Sequence, residues 1–476
     1  MKNDQLAIGA EERSADVDGK LQRKLSNRHI QLISIGGAIG VGLFMGSGKT
    51  LSASGTSIIL VYAIIGFFVF ITMRAMGELL LSNLNYKSFS DFCSEYLGAW
   101  AGYFVGWSYW LAWVVVVVGE CIVVAGYAKF WFPDVAPWIP ALGMLGLLFL
   151  MNAASVKVFG ELEFWFSLTK VLAIVTLLLV GGYLISTSYV SANGVQASLN
   201  NLFDRAVFMP NELMGFFAGF QIAVFSFAGI ELIGTTAAET KDPEKNLPKA
   251  INSVPLRIML FYILSLGCIV AVTSWAQITP LSSPFVQFFV LAGLPMAAGV
   301  INMVVTLAAM SSANSGVFCT SRILFGLASE SNAPSYFQKV SLSGIPIRSL
   351  VFTVCCMLLG LVVLFVVPDV MTAFILVSTM SAILFIFVWS MILISYVSYR
   401  NKRPDLHQAS RYKLVGGIPV IILTLVFFVF TVVLLALEAD TRQALQVMPV
   451  WFVILGVAYW LRHARGKSRQ SLVQQR

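Results

Sequence analysis

Three ionisable side chains lie within otherwise apolar stretches of the sequence, where a charge is costly. They are Glu120, Lys170 and Glu231. An ionisable group in the apolar interior of a membrane costs at least about 2.5 kcal/mol and by default marks a functional site. Either residue type can bind and release a proton there, and a lysine can also replace a bound sodium ion. The alternative for each residue is a structural salt bridge between helices.

A second pattern is the stretch S-I-G-G-A-I-G-V-G-L-F-M-G-S-G-K at 34–49, in which six residues are glycine. A glycine inside a helix costs about 1 kcal/mol relative to alanine, so a plain membrane anchor has no reason to collect them. A helix that opens at mid-membrane has such a reason, because its freed N–H groups face an anion and its freed carbonyls face a cation. An amino acid carries both charges. The alternative is close helix packing through small residues.

The later run G-F-F-A-G-F-Q-I-A-V-F-S-F-A-G-I-E at 215–231 has the same character. Glycine-interrupted helices at matching places in two halves of a chain are the best sequence pointer to a transport site at the membrane midplane. The first and sixth spans correspond if the chain holds two inverted five-helix halves, and a glycine-rich packing face is the alternative. The small polar run S-S-A-N-S-G at 311–316 is expected to break the eighth span and to bond across helices or face a cavity.

Other chemistry finds little support in the sequence. G-S-G-K-T at 46–50 resembles the end of a phosphate loop, but Leu43 stands where that motif needs its first glycine. The six cysteines have no CxxC spacing, so no metal site, disulfide framework or cofactor is expected. Arg74 and Glu78 are four residues apart and are expected to form a local ion pair on one helix face.

The composition indicates a membrane protein. Hydrophobic residues make up 58% of the chain and charged residues 11%, whereas soluble domains carry roughly 25% charged residues. A spanning helix needs about 20 apolar residues, and the sequence predicts an all-α polytopic membrane protein with 12 transmembrane helices. The helices are expected near residues 29–49, 56–82, 100–128, 136–156, 164–187, 212–236, 255–277, 288–320, 349–368, 370–399, 414–437 and 443–461.

The positive charges are distributed unevenly between the two sides of these spans. If both termini are cytoplasmic, the outside segments hold only Lys49, Lys129, Arg205 and Arg442 of the 31 Lys/Arg residues. Because positive loops mark the cytoplasmic side, both termini are expected there and no nucleic-acid partner is expected. Residues 1–28 are expected to form a cytoplasmic N-terminal tail, 29–463 a single transmembrane domain and 464–476 a cytoplasmic C-terminal tail.

Three motifs resemble the amino acid transporter family of the amino acid–polyamine–organocation superfamily. They are R-H-I-Q-L-I-S-I-G-G-A-I-G-V-G-L-F at 28–44, F-S-F-A-G-I-E-L-I-G-T-T-A-A-E-T-K-D-P at 225–243 and S-A-N-S-G-V-F at 312–318. The resemblance covers the whole chain except the two tails. It implies a 5+5 inverted repeat with broken helices 1 and 6, two further peripheral helices, and a place in the bacterial cytoplasmic (inner) membrane.

The resemblance also implies the residues that hold a substrate. The carboxylate of an amino acid would meet backbone N–H groups in the first span, and its ammonium would meet carbonyls in the first and sixth spans. Phe225 would in addition form part of an aromatic lid. The N–H groups are those of Gly40, Val41 and Gly42, and the carbonyls are those of Ala38, Phe225 and Ala228.

For proton coupling the resemblance adds two assignments. Lys170 matches a lysine of span five that takes the place of a sodium ion in proton-coupled members, and Glu231 matches the acid that follows the span-six break. Together with Glu120 in span three, these residues are the candidates for carrying the coupling proton.

The expected function is that of a secondary active transporter. It would import small neutral amino acids (glycine, D-alanine, D-serine) by proton symport through alternating access, with the amino acid, the proton and the lipid bilayer as its partners. The main alternative is a permease or exchanger of the same fold for a bulkier or an L-amino acid. A membrane enzyme or nutrient sensor is less consistent with the sequence, because the spans contain no nucleophile–base pair or metal cluster and no soluble output domain is visible.

Overall fold

The computed structural model describes residues 37–86, 88–154, 156–191, 194–203, 208–235, 240–280, 282–341, 344–367 and 369–474. Within these residues the chain is helical, and the extended segments meet only in an isolated bridge between Val190 and Gln196. The tail expected at 1–28 lies outside the described residues, as do Ser34 and Gly36 of the glycine-rich stretch.

The helices are joined by connections of unequal length, of which the longest lies between Ser186 and Glu212. In chain order they are α1 (Ser47–Ser54), α2 (Ile58–Ser82), α3 (Phe89–Leu97), α4 (Ala99–Ala128), α5 (Trp138–Ala154), α6 (Val156–Ser186), α7 (Glu212–Ala218), α8 (Phe220–Ala223), α9 (Leu232–Thr235), α10 (Pro243–Val272), α11 (Pro284–Leu291), α12 (Pro295–Ser329), α13 (Ile347–Gly360), α14 (Val363–Val366), α15 (Val370–Lys402), α16 (Pro404–Ala409), α17 (Gly417–Leu437) and α18 (Ala439–Gln474). A π-helical turn, Gly42–Gly46, precedes α1, and a 3-10 turn, Phe225–Phe227, lies between α8 and α9.

Ten stretches of the described chain are long and apolar enough to cross a membrane. The prediction of an all-α polytopic membrane protein is therefore confirmed. One of the ten, Gly42–Ser82, contains both α1 and α2, because the chain turns at Gly55, which has a φ of +57°. Helix α5 is also apolar but has only 17 residues.

Burial separates a central set of helices from an outer set. In the most apolar part of α4, 83% of the residues are buried inside the protein, and α4 packs chiefly against α12 and α15. The corresponding share is 39% in α17 and 17% in the last stretch, Ala439–Arg462. Helix α4 therefore runs through the core, whereas the last apolar stretch has most of its residues facing outward.

The helical path is interrupted in both glycine-rich stretches. The chain bends at Ile39 and Gly40 before the π-helical turn begins. In the later stretch the helix ends at Ala223, tightens into the 3-10 turn and passes through a non-helical turn before α9. The two interruptions touch through their backbones, because a Cβ added at Gly42 would lie 2.6 Å from the Cα of Ser226.

Two local expectations are wrong. Helix α12 runs unbroken through residues 311–316, because the side chains of Ser311, Ser312 and Asn314 bond to groups outside the helix and leave its backbone ladder intact. Arg74 and Glu78 have other partners. The Arg74 guanidinium binds Asn252 and the carbonyl of Lys413.

Glu78 takes part in a polar cluster at the end of α2. Its carboxylate lies 2.5 Å from Nδ1 of His407 and accepts hydrogen bonds from the Tyr396 hydroxyl at 2.6 Å and the Leu414 N–H at 2.9 Å. The carboxylate therefore ties α2 to α15, α16 and the segment that leads to α17.

We expect Gly229→Ala to destabilise the fold. Gly229 has a φ of +99°, and an added Cβ would lie 2.8 Å from the carbonyl carbon and oxygen of Gly37. A left-handed conformation alone costs an alanine roughly 1–2 kcal/mol, and the backbone contact adds to this. Thermal unfolding of the purified protein in detergent should show a lower melting temperature.

The matched control is Gly182→Ala in α6, where an added Cβ meets no atom within 4 Å. Alanine is the better helix former, so this variant should melt at or above the wild-type temperature. Equal melting temperatures for the two variants would contradict the close approach at Gly229.

Candidate functional site

The candidate site is the place where the two helix interruptions meet. The first interruption is the bend at Ile39 and Gly40 with the π-helical turn after it, and the second runs from the end of α8 at Ala223 to the start of α9. Tyr262 of α10 connects them, since its hydroxyl lies 2.9 Å from the carbonyl oxygen of Ala38 and 2.7 Å from that of Ser226. Its neighbour Tyr62 of α2 lies 3.0 Å from the Ser226 hydroxyl. Both tyrosines are fully buried. Irregular backbone at membrane depth persists only where such groups satisfy it. The Tyr262 hydroxyl is shared between the two carbonyls, whereas Tyr62 contacts the second interruption only through the Ser226 side chain.

Several backbone groups of the first interruption already form hydrogen bonds within the protein. The N–H of Gly40 donates to the carbonyl of Ala38 at 3.1 Å, and the carbonyl of Gly40 accepts from Phe44 at 3.3 Å. The N–H of Val41 points to a side chain and donates to Oε1 of Glu120 at 3.4 Å. Of the three N–H groups expected to receive a substrate carboxylate, that of Val41 therefore already binds a carboxylate in this structure.

In the second interruption, Phe225 and Ala228 are both buried. The carbonyl of Phe225 accepts from the N–H of Ala228 at 3.1 Å, which closes the 3-10 turn. The Phe225 ring packs edge-on against Phe374 of α15, with 6.0 Å between the ring centroids. This aromatic pair joins the second interruption to α15.

Glu120 and Lys170 come together across three helices. Glu120 lies on α4 and Lys170 on α6, and their side chains are 1% and 0% exposed. The two charges interact with each other, and Oε1 of Glu120 and the hydroxyl of Ser312 on α12 both lie against Gly40. Ser312 also donates to the carbonyl of Gly37 at 3.3 Å. The cluster therefore lies directly against the first interruption.

A third buried charge, Glu163, completes this cluster. It lies on α6, interacts with Lys170 and is 2% exposed. The hydroxyl of Ser311 donates to Oε1 of Glu163 at 2.8 Å, and the amide of Asn314 lies 3.5 Å from Oε2. The S-S-A-N-S-G run thus supplies side chains that fix a carboxylate, which explains its bonds across helices.

Sequence reasoning did not predict Glu163 or Tyr262. Glu163 precedes Lys170 by seven residues, which is about two helical turns and therefore places both on one helix face. That spacing was the available signal. Tyr262 carried no signal, because it is one aromatic residue in an apolar helix.

Glu231 lies at the second interruption and does not share the contacts of Lys170 and Glu120. Both of its carboxylate oxygens lie 3.2 Å from the N–H of Gly229, and Oε1 accepts a hydrogen bond from the Tyr109 hydroxyl of α4 at 3.2 Å. Glu231 is fully buried. Its carboxylate therefore caps the non-helical turn of the second interruption and links it to α4.

The described residues contain no cluster of side chains suited to bind a metal ion. Among the described residues, no group of three or more His, Cys, Asp or Glu side chains is placed to hold a metal ion. The site combines freed backbone groups, tyrosine hydroxyls and buried single charges. Such an arrangement can bind a small zwitterion and exchange a proton.

Comparisons with a family model and with individual proteins agree on one family. A family model described as amino acid permease matches residues 29–472. The chain is 56% identical over 458 residues to the D-serine/D-alanine/glycine transporter of Escherichia coli (strain K12), covering 96% of this chain and 97% of that protein.

More distant relatives carry other names. The amino-acid permease AapA of Bacillus subtilis (strain 168) is 45% identical, with 94% of this chain and 96% of that protein covered. The aromatic amino acid transport protein AroP of Escherichia coli (strain K12) is 36% identical, with 94% and 97% covered.

We expect Glu163→Ala to destabilise the protein strongly. The change removes the acceptor for Ser311 and Asn314 and leaves Lys170 without one of its two opposite charges. Removing one partner of a buried charge pair costs roughly 3–5 kcal/mol. The free energy of unfolding in a lipid-like detergent should fall by this order.

Glu161→Ala is the matched control, because Glu161 lies on the same helix and is exposed. Its free energy of unfolding should stay close to the wild-type value. A Glu163→Ala protein as stable as the Glu161→Ala protein would show that the buried cluster does not depend on Glu163.

Proposed function

The chain belongs to the amino acid permease family, and we propose that it imports small neutral amino acids by proton symport. The family and these relatives are transport proteins and not enzymes. Glycine, D-alanine and D-serine are the proposed substrates. The 56% identity to a transporter named for these three compounds supports this choice over bulkier substrates.

The single observation that carries the proposal is the meeting of two helix interruptions around Tyr262. It supports a substrate site at mid-membrane in which Gly40, Val41 and Gly42 present N–H groups to the carboxylate. The ammonium would lie at the carbonyls of Ala38, Phe225 and Ala228, with Phe225 closing over the substrate. A lid at this position is supported by its packing on Phe374 of α15.

We assign twelve spans to the chain, arranged as a 5+5 inverted repeat with two peripheral helices. The two helices in Gly42–Ser82, the short α5 and the nine remaining apolar stretches are consistent with that number. The 17% burial of the last apolar stretch, Ala439–Arg462, supports a peripheral place for α18. We place the protein in the bacterial cytoplasmic membrane, with 29–463 as one transporter domain and the tails 1–28 and 464–476 in the cytoplasm.

For the coupling we propose Lys170 and Glu120 as the proton-exchanging pair, with Glu231 as a second carboxylate. Contact between the pair and the first interruption supports this role, because a change of charge there acts on the backbone that binds the substrate. Glu231 would act on the second interruption through the N–H of Gly229. One proton crossing a potential of 100 mV supplies about 2.3 kcal/mol, enough for roughly 50-fold accumulation.

The direct test is uptake of labelled glycine by proteoliposomes under an imposed inward proton gradient. We expect accumulation that a protonophore abolishes. Unlabelled D-alanine and D-serine should inhibit it, and L-phenylalanine should not. Uptake that ignores the gradient would favour an exchanger, and inhibition by L-phenylalanine alone would favour a carrier of bulkier amino acids.

Gly40→Ala should weaken glycine binding by at least about tenfold. A Cβ at this position would lie 2.4 Å from Oε1 of Glu120 and 2.8 Å from the Ser312 hydroxyl. The methyl group therefore occupies the space beside the N–H groups proposed for the carboxylate. Equilibrium binding of labelled glycine to the purified protein measures the effect.

The matched control is Gly119→Ala on α4, because a Cβ there meets no atom within 4 Å. It should bind glycine like the wild type. Wild-type affinity in a correctly folded Gly40→Ala protein would rule out the backbone site.

A further inference from the structure

The carboxylate of Glu120 lies at the position proposed for the carboxylate of a substrate. Its Oε1 accepts the N–H of Val41 at 3.4 Å. The same oxygen lies 2.4 Å from the point where a Cβ of Gly40 would be, so it rests against the backbone of the first interruption. While Glu120 stays there, a second carboxylate cannot reach the N–H of Val41.

We propose that Glu120 is a built-in substitute for the substrate carboxylate, and that an arriving substrate displaces it as Glu120 takes up a proton. This inference rests on the proposed function, because it assumes that the substrate carboxylate binds at Val41. It adds to that function a specific order of events, in which binding of the amino acid and binding of the proton are one exchange.

The charges of the cluster explain why a proton must accompany the substrate. Glu120 and Glu163 contribute two carboxylates, and Lys170 contributes one ammonium. All three are almost fully buried. A third carboxylate beside them would be repelled by Glu120, because like charges at one buried site cannot both remain ionised without a large cost. Neutralising Glu120 removes that repulsion.

Several other groups face Glu120 and share its electrostatic environment. Lys170 of α6 and Ser312 of α12 approach it directly, and Ser312 does not titrate. The remaining titratable groups that sense its charge are Cys121 and Tyr127 of α4 and Tyr262 of α10. Of these groups, Lys170 is the one that can carry a positive charge, so it attracts the Glu120 carboxylate while that carboxylate is ionised.

The structure also offers a place for the proton. Oε2 of Glu120 is buried and has no hydrogen-bond partner among the described residues. A proton can therefore add to Oε2 without breaking an existing contact. One proton joins the carboxylate when the substrate binds, and the same proton leaves when the substrate is released and Oε1 returns to Val41.

Calorimetric titration of glycine into the purified full chain tests the exchange. Repeating the titration at pH 6, 7 and 8 in buffers of different ionisation enthalpy gives the number of protons taken up for each glycine bound. For wild type we expect close to one proton, and about a tenfold gain in affinity for each unit of decreasing pH where Glu120 is ionised. Glu120→Gln should bind glycine without proton uptake and with the same affinity at each pH.

Glu161→Gln is the matched control, since it makes the same change at an exposed site on α6. It should keep the wild-type proton uptake. Proton uptake that persists in Glu120→Gln would overturn the inference and leave the proposed function intact. A wild-type protein that binds glycine without proton uptake would do the same, and one that binds neither glycine, D-alanine nor D-serine would overturn both.

A second measurement needs no variant, in case Glu120→Gln does not fold. Infrared difference spectra of the wild-type protein, recorded before and after addition of carboxyl-labelled glycine, separate the substrate band from the protein bands. We expect a protonated carboxyl band of the protein to appear on binding. Spectra without a new protonated carboxyl band would overturn the inference.

Discussion

The structure depends on one constraint, which is that backbone groups freed in the middle of a membrane must find partners inside the protein. Both interruptions obey it through buried side chains. Tyr262 holds the carbonyls of Ala38 and Ser226, Glu120 binds the N–H of Val41, and Glu231 binds the N–H of Gly229. The same groups that stabilise the broken helices are therefore the groups that a substrate or a proton can act on. On the proposed function, binding of a substrate at these positions would change the contacts that hold the two interruptions.

The residues proposed to bind the substrate and the proton are therefore also residues that pack the two interruptions together. The two interruptions approach so closely that only glycine is compatible at Gly42, beside Ser226, and at Gly229, beside Gly37. Buried carboxylates lie at both, and each carboxylate belongs to a group of contacts that reaches α4. Because α4 has the largest buried share of the ten apolar stretches and packs on α12 and α15, both carboxylates lie in the centre of the protein and not at its surface.

Much of this arrangement follows from local sequence. Glycines that are costly in a helix predict the two interruptions, and isolated charges in apolar runs predict the buried positions of Glu120, Lys170 and Glu231. What local sequence cannot give is which groups meet. Glu163 follows the charged residues Lys157 and Glu161 closely, so the sequence does not mark it as an isolated charge in an apolar run. The continuity of α12 depends on Ser311 and Asn314, which bond to a carboxylate on another helix. Arg74 and Glu78 likewise have the spacing of a pair, but tertiary partners compete for both side chains.

The most direct test of the central claim is an electron cryo-microscopy structure of the full chain in lipid nanodiscs saturated with D-alanine at acidic pH. We expect the substrate carboxylate within hydrogen-bonding distance of the Val41 N–H, the ammonium at the carbonyls of the two interruptions, and Glu120 withdrawn from Val41. Density for D-alanine elsewhere in the protein, or a Glu120 carboxylate that still occupies the Val41 N–H beside bound D-alanine, would contradict it.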